Sequence, residues 1–202
     1  MENLAEAITN LHWSETGAVI FGIIYVVLAA KENVWCWFFG IVSCSLWAWA
    51  TYEIYDLYID ALLQVFYVIV SFLGIYQWLQ GSQNKRELKI STLPLKHHVS
   101  IICVGIVISL LVGCFFSKYT AAASTYLDSI TTVFSIFATF MVVKKILGNW
   151  IYWIVVDSIY IYLYWSRGSL LFTLLMVAYT IIAILGYLEW RKKYKSVKQL
   201  HY

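Results

Sequence analysis

Charge is scarce in this chain. Of its 202 residues only 12% are Asp, Glu, Lys or Arg, against 62% hydrophobic. A soluble domain carries about a quarter charged residues, so no stretch here is polar enough to cover a separate soluble domain. Proline is nearly absent: the single one, Pro94, sits in the one long polar loop, 80–98. The apolar runs therefore lack the residue that most often breaks a helix, which argues against a transporter built on discontinuous helices. Histidine is missing from every apolar run, and His97–His98, in the basic loop, reads as solvated. Cys36, Cys44, Cys103 and Cys114 form no CxxC pair and have no His at ligand spacing, so they read as small buried hydrophobes. There is no HExxH, no GxSG and no pair of intramembrane aspartates, which disfavours an intramembrane enzyme, and no GxxxxGK[ST], which excludes a pump powered by this chain alone. No cofactor and no nucleic-acid partner is expected.

What is present is a series of apolar runs of spanning length, at about 14–30, 34–51, 56–79, 99–116, 126–143, 149–165 and 168–188. About 17–25 apolar residues cross the hydrocarbon core as a helix. The expected class is an all-α membrane protein with seven transmembrane helices in one domain, 1–202. Glu2, Glu6 and Glu15 have the wrong sign for the start of a secretory leader, so none is expected. Leu4, Ile8 and Leu11 suit a short helix on the membrane surface. With seven spans, one side holds only Lys118 and Arg167 of the 14 Lys and Arg residues. The remaining cations, including Lys31, Lys85, Arg86, Lys89, Lys96, Lys144, Lys145 and the run Arg191–Lys198, share the other. The positive-inside rule then puts the N-terminus outside and the C-terminus in the cytoplasm.

Two elements recur. Tyr67-x6-Gly74-x3-Trp78 returns as Tyr179-x6-Gly186-x3-Trp190, and Asn33-x3-Trp37 as Asn149-x3-Trp153. Laid on each other, the first and last three spans give repeats 14–79 and 126–188. A linker helix, 99–116, restores their common direction, so the plan is 3+1+3. Parallel repeats of this kind place a substrate site at their interface near mid-membrane. Small residues such as Gly74 and Gly186 let helices approach closely.

Polar groups deep in a span mark function by default. Asp157 lies at the centre of the sixth span, with Trp153 and Asn149 one and two turns before it on the same face. Gln64 and Tyr67 stand in the third span; Thr132, Ser135 and Thr139 form a stripe on the fifth; Ser43 and Trp47 are candidates from the second. Each hydroxyl has a second reading, a bond back to the preceding turn of its own helix. Trp13, Trp35, Trp78, Trp165 and Trp190, near span ends, read as interfacial anchors. The combination suits a flat, hydroxylated ligand carrying positive charge: a cation over an indole or phenol ring gains about 0.5–2 kcal/mol. Asp157 either offsets that charge or is held neutral by its surroundings.

The stretches KENVWCWFFGIVS, DALLQVFYVIVSFLGIYQW, YLDSITTVFSIFATFMVVKK, NWIYWIVVD and LLFTLLMVAYTIIAILGYLEW resemble the PnuC family of vitamin transporters, over about residues 15–193. The resemblance implies a seven-helix 3+1+3 fold, a homotrimer with a pathway in each protomer, and facilitated diffusion of nicotinamide riboside across the cell (inner) membrane. A cytoplasmic kinase would then trap the product. Related members carry thiamine or riboflavin. Carried over, the substrate-binding positions are Trp37, Gln64, Tyr67, Asn149, Trp153, Asp157 and Tyr179. Thr139–Phe140, where an amide is expected in the family, and the aromatic run Tyr160, Tyr162, Tyr164 are departures that bear on which vitamin fits. A receptor subunit that binds without transporting is the remaining alternative.

Overall fold

A computed structural model describes residues 12–53, 58–80, 88–119, 125–166 and 168–199. The surface helix expected around Leu4, Ile8 and Leu11, and the cations Lys85, Arg86 and Arg167, lie outside the described residues. Among the described residues there are seven helices: α1 (Trp13–Ala30), α2 (Trp35–Glu53), α3 (Tyr58–Gln80), α4 (Leu95–Tyr119), α5 (Thr125–Val143), α6 (Asn149–Ser166) and α7 (Leu170–Gln199). Five contain a window apolar and long enough to cross a membrane. The two that do not, α2 and α6, are rich in Trp and Tyr, which hydropathy scales weigh as polar although the rings are large and mostly apolar. At 19 and 18 residues these two helices still reach about 27 Å.

Helix α1 begins with a capping box. The Nδ1 of His12 accepts from the Ser14 amide, and the Glu15 carboxylate accepts from the His12 amide, so two N-terminal donors are satisfied at once. Helix α4 begins at Leu95, earlier than expected, because Pro94 supplies the carbonyl that receives the amides of His97 and His98. His98 is consequently not a solvated loop residue. It is half-buried against Gly148, and its Nδ1 lies 3.2 Å from the Tyr152 hydroxyl. Helix α7 runs 30 residues, about 45 Å, so its basic last turns project beyond the apolar layer.

The turns after α1 and α5 are the same structure. Glu32 and Lys145 sit at φ 57° and 48°. The amides of Glu32 and Asn33 donate to Ala29 and Leu28, and those of Lys145 and Ile146 to Val142 and Met141. This is the Schellman closure, in which the left-handed position is usually glycine. The packing around it also recurs. The Trp37 ring lies against Gly74 and the Trp150 ring against Gly186, in each case leaving no room for a side chain on the glycine. The counterpart of Trp37 is thus Trp150, and the expected match of Trp37 with Trp153 does not hold, because the turn before α6 sets the register three residues earlier.

Within each trio the helices pack as α1 on α2 on α3, and as α5 on α6 on α7. Between the trios, α1 meets α7 and α3 meets α5. The core lies along these contacts and includes Trp37, Trp78, Trp150 and Trp190. Trp13, Trp35 and Trp165 are 65%, 62% and 61% exposed, as interfacial anchors would be, but Trp78 and Trp190 are 6% and 0% exposed and are not anchors. Their indole N–H groups cap the far trio: Trp78 donates to the Val142 carbonyl at the end of α5, and Trp190 to Ala29 and Ala30 at the end of α1. Among the described residues helix α4 packs mainly on α5, through the small face Gly105, Ser109 and Gly113, and meets α6 through His98 at Tyr152. Cys103 and Cys114 are exposed on α4, contrary to the expectation that all four thiols are buried.

Candidate substrate cavity

A cavity of about 310 Å³ lies between the two trios, lined by α1, α2, α3, α5, α6 and α7. Its volume falls at the small end of the roughly 300–1,000 Å³ typical of small-molecule sites, so it suits a compact ligand. The opening position is built by glycine. A side chain at Gly22 would strike the Tyr179 hydroxyl at 2.5 Å and the Ser43 Oγ at 3.2 Å. The bare backbone of α1 therefore lets α2 and α7 lean their polar tips into one space.

Nine of the expected residues line this cavity: Trp37, Ser43, Trp47, Gln64, Tyr67, Thr139, Trp153, Asp157 and Tyr179. Thr132, Ser135 and Asn149 do not. Ser135 is buried one layer behind, donating to the Thr131 carbonyl and hydrogen-bonding the Tyr67 side chain. Asn149 is fully buried at the start of α6, its Nδ2 donating to the Ile146 carbonyl, so it shapes the turn. Of the hydroxyls that do line the wall, Ser43 donates to the Ala18 carbonyl of α1 and Thr139 to Ser135. Their protons are committed, and each offers a lone pair rather than a donor.

Asp157 differs from all of these. It is 5% exposed and lines the cavity, yet among the described residues it has no hydrogen bond or ion pair. A buried carboxylate without a partner is costly, so a group from outside the protein is the natural complement. Aromatic faces surround it. Tyr25, Trp150, Tyr164 and Phe172 also line the wall; none of these was expected to face inward. One signal was available for Tyr164: it stands seven residues after Asp157, on the same helical face. Phe172 stacks on Tyr164 at 5.4 Å and meets Trp47 edge-on at 6.0 Å, so that rings of α2, α6 and α7 meet at one end of the cavity. Tyr162 is 62% exposed and faces away, so the aromatic run on α6 serves the cavity only in part.

A continuous tryptophan row stands at the opposite end, with Trp37 and Trp150 lining the cavity. Trp37 meets Trp78 edge-on at 5.5 Å, Trp78 meets Trp190 at 6.2 Å, and Trp190 meets Trp150 edge-on at 5.4 Å. Beyond the row the Lys145 ammonium lies 4.6 Å above the Trp78 ring and 3.1 Å from the Glu32 carboxylate.

The sequence matches the family described as "Nicotinamide mononucleotide transporter" over residues 12–192. It is 29% identical to the nicotinamide riboside transporter PnuC of Escherichia coli (strain K12), over 90% of this chain and 86% of that one. It is 28% identical to the nicotinamide riboside transporter PnuC of Neisseria mucosa, over 91% of this chain and 73% of that one. Among solved structures, the crystal structure of the vitamin B3 transporter PnuC superposes with a TM-score of 0.75 at 26% identity, covering 96% of this chain and 86% of that one.

Proposed function

Because the chain belongs to the nicotinamide mononucleotide transporter family, a family of multi-pass membrane transporters rather than enzymes, we propose that it carries nicotinamide riboside across the cell (inner) membrane. The observation that carries this reading is Asp157: a carboxylate with no hydrogen bond or ion pair among the described residues, inside an aromatic cavity between two helical trios. Nicotinamide riboside is a flat ring cation with a hydroxylated sugar. Its pyridinium lies against Trp153 and the tyrosines with Asp157 as counter-charge, and the Gln64 amide reads the sugar or the carboxamide. Thiamine, also an aromatic cation, is the second reading; neutral riboflavin makes no use of Asp157.

The architecture in this proposal is 3+1+3, with α1–α3 and α5–α7 as parallel repeats and α4 as linker. The recurring turns, the Trp37–Gly74 and Trp150–Gly186 contacts, and the reciprocal Trp78 and Trp190 caps support it. The lysine-bearing turns α1–α2 and α5–α6 meet the end of α7 at one face, which is the cytoplasmic face with the N-terminus outside. Transport is facilitated diffusion in a homotrimer, and a cytoplasmic kinase supplies the trap without needing to bind the transporter. Native mass spectrometry from a mild detergent should give three copies, and a monomer alone would remove the trimer from the proposal.

In vesicles bearing only the purified protein, labelled nicotinamide riboside should equilibrate saturably. An imposed proton or sodium gradient should not raise it above equilibrium. Thiamine uptake without riboside uptake would transfer the assignment to the second reading, and uptake of neither would reject transport of this class. Gln64→Ala and Trp153→Ala should each weaken binding about tenfold, the scale of one buried hydrogen bond or ring contact. Calorimetry measures that loss, and an unchanged melting temperature separates it from misfolding.

A further inference from the structure

Glu32 and Lys145 occupy the same position in two copies of one turn, and they meet each other. The Lys145 Nζ lies 3.1 Å from the Glu32 Oε2, and the Lys193 Nζ lies 3.1 Å from the Oε1 of the same carboxylate. Lys193 also reaches the Lys31 carbonyl and Glu189. Among the described residues these two are the only non-glycine residues at positive φ. A glycine would hold either turn without the steric penalty of a side chain. The side chains there are thus kept against a local backbone preference, and what they provide is a charge pair bridging the trios.

The pair sits on the tryptophan row. Lys145 is stacked on Trp78, which caps α5 from α3, while Trp190 caps α1 from α7. Every one of these contacts joins a residue of one trio to a residue of the other. Parting the trios at this end would break the ion pair, lift the ammonium off the ring and uncap both helices. Contacts made together in one arrangement and lost in the other are what a two-state element requires.

We propose that Glu32–Lys145, backed by the four-tryptophan row, is the lock that shuts the cavity on its lysine-rich side, and that passage of substrate requires it to open. This rests on the transport reading, but its test does not use substrate. Cys44 lines the cavity beyond the row and serves as a native reporter. With Cys36, Cys103 and Cys114 replaced by Ala, the protein is reconstituted in vesicles and treated with a membrane-impermeant maleimide from the lysine-rich side. Labelling of Cys44 is expected to be slow in this parent. It should be at least about tenfold faster in Glu32→Lys, where three like charges meet and the open population rises. The exchange Glu32→Lys/Lys145→Glu should return most of the protection, less the residual repulsion from Lys193. Equal labelling of Glu32→Lys and parent overturns the lock. A rise that the exchange fails to reverse overturns the Glu32–Lys145 pairing as its basis. If Glu32→Lys does not fold, Glu32→Gln keeps the shape and carries the same test, with labelling at the parent rate again overturning the lock. Riboside uptake is measured on the same vesicles: its absence in every variant and parent, with the labelling response intact, refutes the substrate assignment and supports the lock.

Discussion

Asp157→Asn should raise the dissociation constant for nicotinamide riboside at least about 30-fold, and that for the uncharged dihydro form less than about threefold. The carboxamide has the shape of the carboxylate, so the change removes charge and little else. Among the described residues Asp157 has no hydrogen bond or ion pair to orphan, hence none of them is left uncompensated when the charge goes. Truncating one member of a desolvated charge pair typically costs about 2–5 kcal/mol. In the proposed site the other member is the ligand, so the loss should appear in binding and not in stability. Calorimetry on the two ligands reads the difference. Equal losses for both would mean that Asp157 acts as a hydrogen-bond acceptor or as packing, and no loss for either would remove it from the site.

The second large effect is on folding. Gly74→Ala places a methyl group among the Cδ2, Cε2 and Cζ2 atoms of Trp37, a ring that is 1% exposed and cannot swing out. Overpacking of a tight core costs about 1–3 kcal/mol, and Gly186→Ala should behave likewise against Trp150. Reversible unfolding in mixed detergent is expected to show a loss of about 2 kcal/mol for either. Trp37→Phe, which costs stability on its own, should recover part of the loss in Gly74→Ala, giving a coupling of at least about 1 kcal/mol in the double-mutant cycle. Strict additivity would mean that the ring and the glycine do not meet.

The helices were legible because hydrocarbon thickness sets their length and proline is confined to one loop. Their partners were not. Trp78 and Trp190 stand near span ends, where lipid headgroups and a second trio offer an indole the same mixture of apolar body and polar tip. Only the carbonyls of Val142 and Ala29, far away in sequence, decide between them. The cavity was legible at Asp157 and Gln64, whose side chains have no use for lipid, whereas Tyr179 was reached only through the family resemblance. It was less so on α5, where Thr132, Ser135 and Thr139 share a stripe but only Thr139 reaches the wall. Helical period gives the stripe and not the depth at which a neighbouring helix crosses it. Asn149 has the residue type of a ligand-binding amide, yet its position at the first residue of α6 gives it a nearer task in the turn. Trp150 was passed over because the register of the turn before it is a backbone property, set by Lys145 at positive φ.

Helix α4 has one consequence for how motion here would be observed. Among the described residues it packs along α5 and reaches α6 through His98 at Tyr152, both in the second half, so a shift of the halves would carry it with the second, as a flag rides on one leaf of a gate. Its two outward thiols, Cys103 and Cys114, are exposed, so a dye on either would report a swing of that half against a partner dye on the first.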